Sequence, residues 1–171
     1  PYGGHLVRPS DKKEPKKIAW LQCIGSRDEH LDGRGYCSGV CCTYAVKEAM
    51  LAKEHAGGDL DTAIFYMDIR TNGKDFERYY NRAKDEAGVR FVKSRVTHIV
   101  PDKESGMNVI RYIDEIGQNA EEAFDIVVLS VGLGTTAEGR ALAEKLGLAL
   151  DHYNYVTTGS FKPVETATPE I

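Results

Sequence analysis

The chain has 171 residues, and its 22 Lys and Arg against 26 Asp and Glu give a net charge of -4 at pH 7. This length suits one domain, or one domain with a fragment of another. The acidic balance, without a long basic stripe, argues against nucleic-acid binding. No apolar run approaches the ~20 residues of a membrane helix. Secreted disulfide scaffolds are much richer in cysteine, so we expect the cytoplasm.

Both ends of the sequence look like connections rather than domain limits. Residues 1–15 are polar and contain three prolines, which predicts an extended linker. The chain does not begin with Met, and residues 161–171 carry neither a helix stop signal nor a charged tail. We therefore expect both ends to be cut from a longer polypeptide.

Hydrophobic periodicity predicts strands that alternate with helices. The predicted elements, in chain order, are a strand at 17–22, a helix at 37–55 with a glycine stop at 57–58, a strand at 61–68, a helix at 75–86, strands at 89–100, 108–116 and 125–131, and a helix at 137–146. This order predicts an α/β fold, a three-layer Rossmann-like parallel sheet with a β-hairpin or meander layer. It is the outline of the NAD(P)-binding domain of two-dinucleotide-domain flavoproteins.

All the cysteines of the chain lie where its first strand meets its first helix. They are Cys23, Cys37, Cys41 and Cys42, spaced C-x13-C-x3-C-C. Because the predicted helix begins at Cys37, we expect Cys37 and Cys41 to share a helix face, and Cys23 can close a fourth corner from the strand end. The amides of a helix N-terminus favour thiolates, and we expect them to lower the pKa of Cys37 and of Cys41. The pattern predicts one four-ligand site for a metal or an iron–sulfur cluster.

Other interpretations of these cysteines stay open at this point. A structural zinc site is one, although adjacent cysteines are unusual ligands for zinc. A redox disulfide would be strained between Cys41 and Cys42, and inert core thiols are a further alternative. A dinucleotide site would need G-x-G-x-x-G after the first strand, and residues 22–28 contain a single glycine.

Several polar residues lie close to the cysteines in sequence. Asp68 could bind a ribose hydroxyl, but without a glycine loop we expect a structural cap or a pair with Arg70. Arginines could also flank a cluster and raise its potential, namely Arg27, Arg34 and Arg70. Ser26 and Ser38 could hydrogen-bond cluster sulfurs or cap the helix. The candidate ligands remain the four cysteines.

Five segments together resemble one known family. They are KKIAWLQCIGSRD at 16–28, YCSGVCCTYAVK at 36–47, IFYMDIR at 64–70, GVRF at 88–91 and DIVVLSVG at 125–132. The resemblance is to the heterodisulfide reductase A flavoproteins and their relatives, and it covers nearly the whole chain.

The resemblance implies a thioredoxin-reductase-like flavoprotein of anaerobic metabolism that carries FAD. It also implies a 4Fe–4S cluster bound by Cys23, Cys37, Cys41 and Cys42 in a degenerate nicotinamide domain. That domain would span residues 16–132, and residues 133–171 would return toward an FAD domain. FAD would be bound mostly outside this fragment, which we do not expect to be active alone.

The function expected from the resemblance is electron transfer within a heterodisulfide reductase-like oxidoreductase. The implied partners are the FAD domain of the same polypeptide and other iron–sulfur subunits of a redox complex. A homodimer that buries the surface facing the FAD domain is a candidate assembly. The alternatives kept are an NAD(P)H-binding oxidoreductase domain and a zinc-stabilised interaction module.

Overall fold

The structure is a computed structural model that describes residues 4–30, 33–57 and 59–168. The chain divides into two compact units, Pro1–Gly132 and Leu133–Ile171. Expectations for residues 1–3, 31–32, 58 and 169–171 lie outside the described residues. The elements are β1 (Lys17–Ile24), α1 (Cys41–His55), β2 (Asp61–Tyr66), α2 (Phe76–Asp85), β3 (Arg90–Lys93), β4 (His98–Pro101), β5 (Asn108–Ile113), β6 (Asn119–Phe124), β7 (Ile126–Val131) and α3 (Ala137–Lys145).

A parallel sheet of four strands forms the centre of the first unit, in the order β3-β2-β1-β7. The strand β1 is largely apolar because both of its faces are buried. Ile18 and Trp20 belong to the core on one face, whereas Ala19 and Leu21 belong to the core on the other. This arrangement confirms the predicted α/β fold with a parallel sheet.

Two layers cover the two faces of the parallel sheet. Helices α1 and α2 contribute Val46, Ala49 and Ala83 to the core on one face. On the other face lies an antiparallel sheet in the order β4-β5-β6, which contributes Ile110 and Phe124. We refer to this three-stranded sheet as the meander. The layers are therefore helices, parallel sheet and meander.

A group of four charged side chains joins the parallel sheet to the meander. Lys17 of β1 lies 2.7 Å from Glu122 of β6 and 3.5 Å from Asp61 of β2. Arg90 of β3 bonds the same two carboxylates, at 2.8 Å to Asp61 and 2.7 Å to Glu122. Each cation thus contacts both anions, and the group fixes the meander relative to three parallel strands.

The strands predicted from the sequence differ from the structure in two places. The stretch 89–100 is not one bent strand, because β3 pairs with β2 in the parallel sheet and β4 pairs with β5 in the meander. The strand β6 was not expected, since its sequence, NAEEAF, is polar. Glu122 of β6 forms ion pairs with Lys17 and Arg90. It therefore stands where an apolar residue would have indicated a strand in the sequence.

The N-terminal segment is held by hydrogen bonds where it is described. Residues 8–13 form a turn, with the Arg8 amide 2.8 Å from the Lys13 carbonyl oxygen. The Arg8 guanidinium bonds Asp125 at 3.1 Å, and the amides of Lys16 and Lys17 bond the same carboxylate. The predicted limits of the linker at 1–15 and of the domains at 16–132 and 133–171 stay predictions.

The second unit is small and contains the helix α3. Its N-cap is Thr136, whose hydroxyl oxygen accepts a hydrogen bond from the Gly139 amide at 3.1 Å. Beyond the helix, the Asp151 carboxylate accepts from the amides of Tyr153 and Tyr155 and closes a turn. In the described residues, none of the helices combines the length and apolar character that a bilayer crossing requires.

Replacing Phe65 by Ala should destabilise the first unit severely. Phe65 is 2% exposed, and its ring meets those of Tyr112 and Phe124 edge to face at 5.0 and 5.9 Å. A cavity between two sheets costs about 3–5 kcal/mol for Phe→Ala. Urea unfolding measures the loss, and Ile116→Ala, at a position 77% exposed, is the control expected within about 0.5 kcal/mol of the parent. A loss below ~1 kcal/mol for Phe65→Ala would contradict this packing.

The charge group should make stability depend on pH through Asp61. Burial opposes ionisation of Asp61, but hydrogen bonds and attraction from Arg90 and Lys17 outweigh it and lower its pKa. Ionised Asp61 therefore stabilises the folded chain fully above about pH 4, the ordinary aspartate pKa. This contribution is lost as pH falls through the lower pKa that Asp61 has in the folded chain. The gap in unfolding free energy between the parent and Asp61→Asn should narrow on acidification. Asp85→Asn, at an exposed position, is the control, and an equal narrowing of the gap in both variants would refute the assignment.

Candidate metal or cluster site

The strand β1 carries a bulge at its carboxyl end that decides where Cys23 lies. Leu21 pairs with Leu129 and Ile24 pairs with Val131, so two residues of β1 oppose one of β7. Ile24 consequently packs on the meander side, where simple alternation after Leu21 would have placed Cys23. The bulge thus removes Cys23 from the meander face. The backbone of Cys23 has a φ of 61°, the left-handed conformation, which is strained for residues other than glycine.

Cys37 does not lie in a helix, so the predicted helix start at residue 37 is wrong. The helix α1 begins at Cys41, and Cys37 and Cys41 do not share a helix face. Gly39 has a φ of 71°, which interrupts any helical path from Cys37. The thiol of Cys37 instead accepts a hydrogen bond from the Gly39 amide at 3.4 Å. Cys37 is therefore a half-buried loop residue.

Backbone hydrogen bonds bring this loop back to the end of β1. The Arg34 amide bonds the Gly25 carbonyl oxygen, and the Arg27 amide bonds that of Tyr36, both at 3.1 Å. These contacts bring the residue before Cys37 next to the segment that follows Cys23. Cys37 and Cys23 are distant in sequence, and these hydrogen bonds bring the segments that carry them together.

Cys41 and Cys42 form a buried pair in the first turn of α1. They are 2% and 4% exposed. The two adjacent thiols interact, and this interaction lowers the pKa of Cys41 to about 6 and raises the pKa of Cys42. Burial opposes the shift at Cys41, but the amides of Cys41, Cys42 and Cys23 also point at its sulfur. This helix start therefore stabilises negative charge on sulfur, as expected for its unpaired amides.

All four thiols belong to one electrostatic neighbourhood. Cys23 interacts with both Cys41 and Cys37, and Cys42 interacts with Cys41 and Cys23. Burial is the main effect on Cys23 and raises its pKa. All four are free thiols. Among the residues that the structure describes, no group of three or more His, Cys, Asp or Glu side chains has the arrangement that a metal ion needs.

Two of the three arginines considered in the sequence reach this neighbourhood. Arg27 and Arg70 hydrogen-bond the Asp68 carboxylate, at 2.6 and 3.1 Å, which confirms the expected pair of Asp68 with Arg70. The side chain of Arg34 is exposed, and its described role is the backbone bridge to Ser26. Asp68 follows β2 at the carboxyl edge of the parallel sheet, so the cysteines and the arginines meet at one edge.

Ser26 and Ser38 meet at a glycine whose importance the sequence did not indicate. A methyl group on Gly132 would collide with the hydroxyl oxygens of both serines. The Ser26 hydroxyl is buried and has no hydrogen-bond partner within the described part of the chain. The N-cap of α1 is Val40, so the expectation that one of these serines caps the helix is wrong. Nothing in the local sequence marks this contact beyond a glycine at a strand end.

Four thiols at one edge are, by their chemistry, a suitable donor set for an iron–sulfur cluster. Four thiolates around one zinc are bound at about 2.3 Å and must lie close together. The described thiols form no such compact shell. A 4Fe–4S cluster binds each thiolate at a different iron and so accepts more widely spaced ligands. Amide donors on sulfur and nearby guanidinium groups are the surroundings that such an anionic group needs.

Comparison with known proteins gives relatives at high similarity, although no family model matches the chain. The A-type iron–sulfur subunit of CoB–CoM heterodisulfide reductase from Methanocaldococcus jannaschii is 43% identical over 88% of this chain and 23% of that protein. The second A-type subunit of the same name from Methanopyrus kandleri is 41% identical over 100% and 26%. The A-type subunit of the H2:CoB-CoM heterodisulfide,ferredoxin reductase from Methanothermobacter thermautotrophicus is 35% identical over 100% and 26%. The chain thus spans about a quarter of the length of these relatives.

Similar solved structures are thioredoxin reductases. The enzyme from Lactococcus lactis aligns with a TM-score of 0.53 at 19% identity, over 91% of this chain and 42% of that one. The enzyme from T. acidophilum aligns with a TM-score of 0.51 at 18% identity, over 90% and 41%. At this identity the likeness shows the fold alone, and it confirms the predicted fold of two-dinucleotide-domain flavoproteins.

Cys23→Gly should leave the metal-free chain at least as stable as the unmutated chain. Glycine adopts a φ of 61° without strain, and relief of a left-handed residue is worth about 1–2 kcal/mol. Cys42→Gly is the matched control, because glycine inside a helix costs about 1 kcal/mol and the buried thiol is also lost. Urea unfolding of both variants without metal measures the difference. A loss at position 23 as large as that at position 42 would show that Cys23 is there for stability.

Proposed function

Because this chain is a heterodisulfide reductase A-like sequence, we propose that it is the cluster-binding, electron-transfer portion of an oxidoreductase of that type. One observation carries the proposal: hydrogen bonds fold the loop of Cys37 back onto the end of β1 that carries Cys23, where the thiols also interact with Cys41 and Cys42 at the start of α1. They lie at the carboxyl edge of a parallel sheet, beside the switch in strand order between β1 and β7. Open α/β sheets bind their ligands at that position.

The proposed ligands of a 4Fe–4S cluster are Cys23, Cys37, Cys41 and Cys42. When bound, such a cluster accepts and releases single electrons. The residues of this chain hold it and set its surroundings. The helix start supplies amides to the Cys41 sulfur, and the bulge in β1 presents Cys23 from the strand end.

Tyr44 closes one side of the proposed site. Its hydroxyl donates a hydrogen bond to the Val131 carbonyl oxygen at 2.7 Å, which links α1 to the end of β7. Burial, with a contribution from the negative charge at Cys41, raises the pKa of Tyr44. The ring therefore lies close to the thiols and stays neutral, so it shields them from water without adding a charge.

The proposal also covers the activity of the full-length protein, which we infer from the relatives. The parent would be a cytoplasmic FAD and iron–sulfur oxidoreductase, since the relatives are named as heterodisulfide reductase subunits. Residues 16–132 would be the degenerate nicotinamide-type domain, and residues 133–171 the return toward an FAD domain. The proposed partners are that FAD domain and other iron–sulfur subunits of a redox complex, and the isolated chain would not be active.

The phosphate-binding position of a nicotinamide domain is changed in this chain. The segment that should approach a pyrophosphate is a β-bulge followed by the loop that carries Cys37. The Ser26 and Ser38 hydroxyls lie against Gly132, at the end of β7. A dinucleotide would need glycine-rich backbone there. The local geometry therefore favours the cluster over NAD(P)H.

Metal analysis of single cysteine variants tests the ligand set. After anaerobic reconstitution, the unmutated 171-residue chain should contain about four irons and four sulfides, with visible absorbance. Each Cys→Ala variant should lose most of this iron and the absorbance, because each thiolate binds one iron. The control variant keeps every thiol: Thr62→Ala truncates a fully buried side chain of β2 and should keep the cluster.

The other outcomes of this experiment each contradict a part of the proposal. One zinc per chain without iron would make the site structural. Full cluster content in a Cys→Ala variant would remove that residue from the ligand set. Neither metal in the parent, together with micromolar binding of NADH, would favour the nicotinamide-binding alternative.

A further inference from the structure

Asp68 lies between two arginines and the cysteines. Its carboxylate accepts hydrogen bonds from Arg27 at 2.6 Å and from Arg70 at 3.1 and 3.4 Å. Its carbonyl oxygen lies 3.9 Å from the sulfur of Cys42. One residue therefore fixes two guanidinium groups by its side chain and contacts the thiol site by its backbone.

Each of these arginines also lies near a different sulfur. Arg27 follows the turn in which the Ser26 amide bonds the Cys23 carbonyl oxygen at 3.2 Å, and its positive charge interacts with the Cys23 sulfur. Arg70 interacts electrostatically with Cys37. Both Cys23 and Cys37 lie outside the helix, so neither has the first-turn position that supplies helix amides to the Cys41 sulfur. The arginines place positive charge near the two proposed ligands that α1 does not carry.

Stability does not explain this arrangement. The side chains of Asp68, Arg70 and Arg27 are 46%, 42% and 23% exposed, and ion pairs that are partly exposed in this way contribute about 0–1 kcal/mol. Arg27 has a φ of 57°, and this left-handed conformation costs about 1–2 kcal/mol. The strain is at least as large as the gain from the ion pair, and strained residues of this kind collect at functional sites.

We propose that Asp68 is a positioning residue that holds Arg27 against Cys23 and Arg70 against Cys37, and thereby raises the reduction potential of the bound cluster. The inference rests on the proposed function. Donors and positive charge beside the ligand sulfurs stabilise the reduced cluster, which carries one more negative charge than the oxidised cluster. A shared carboxylate sets the direction of both donors, as outer-sphere partners of metal ligands do.

The expected effects on potential differ among the residues. Arg27→Gln removes a donor and a positive charge, so it lowers the potential, and Arg70→Gln does the same. Asp68→Asn removes a negative charge, which raises the potential, and releases both arginines, which lowers it. The single Asp68 variant therefore does not decide the matter, whereas a double-mutant cycle does.

The experiment is spectroelectrochemical titration of the reconstituted cluster in the cycle of Asp68→Asn and Arg27→Gln. If Asp68 positions Arg27, the downward shift caused by Arg27→Gln should shrink to less than about half in the Asp68→Asn background. The same cycle with Arg70→Gln should behave alike. Asp75→Asn breaks an exposed pair with Arg78 and, as the matched control, should leave the Arg27→Gln shift at full size.

Additive shifts in the two cycles would overturn the positioning role, since Asp68 would then act by its own charge alone. Iron and sulfide content is measured first, so that failure of the site itself is separate: a parent chain without a cluster overturns the proposed function and this inference with it. Where Asp68→Asn or a Gln variant loses its cluster, Asp68→Glu, Arg27→Lys and Arg70→Lys form the cycle. Additive shifts in that cycle overturn the role in the same way.

Discussion

The position of β1 governs the rest of this structure. It is hydrogen-bonded to β2 on one side and to β7 on the other, and both of its faces are covered. Such a strand cannot turn a side chain toward a new partner without a break in its pairing. The bulge after Leu21 is that break, and it occurs where β1 leaves the core. Fold and site are thus joined at one residue, Cys23.

The thiol site and the stability of the fold depend on different interactions. The core gains from Phe65 and Ile110, and the charge group around Arg90 ties the meander to the parallel sheet. At the carboxyl edge the structure carries left-handed residues, the buried Ser26 hydroxyl and partly exposed ion pairs. Each of these either opposes folding or contributes little to it. Such a concentration of unfavourable features is typical of an edge that binds something.

The sequence predicted the layers because β1, β2 and β7 are apolar and helical periodicity marks the helices between them. It also placed the four thiols at one strand–helix junction. It could not place Cys37, because helical spacing alone does not reveal that Gly39 is left-handed. The strand β6 was missed since Glu122 finds its partners only in the folded chain. Pairing partners distant in sequence, such as Asp68 and Arg27, have no local signal.

The bulge in β1 also makes this segment intolerant of any change in length. Deleting Gln22 would leave one residue between Leu21 and Ile24 to oppose Ser130, so Ile24 could keep its pairing with Val131 but the bulge that gives Cys23 its left-handed backbone would be lost. Adding one residue would displace Ile24 from its pairing with Val131 or enlarge the bulge. The turn at 102–106, whose residues are exposed apart from a partly buried Asp102, carries no such restriction. Homologues of this chain should therefore vary in length at that turn and keep a fixed count of residues from Lys17 to Cys23.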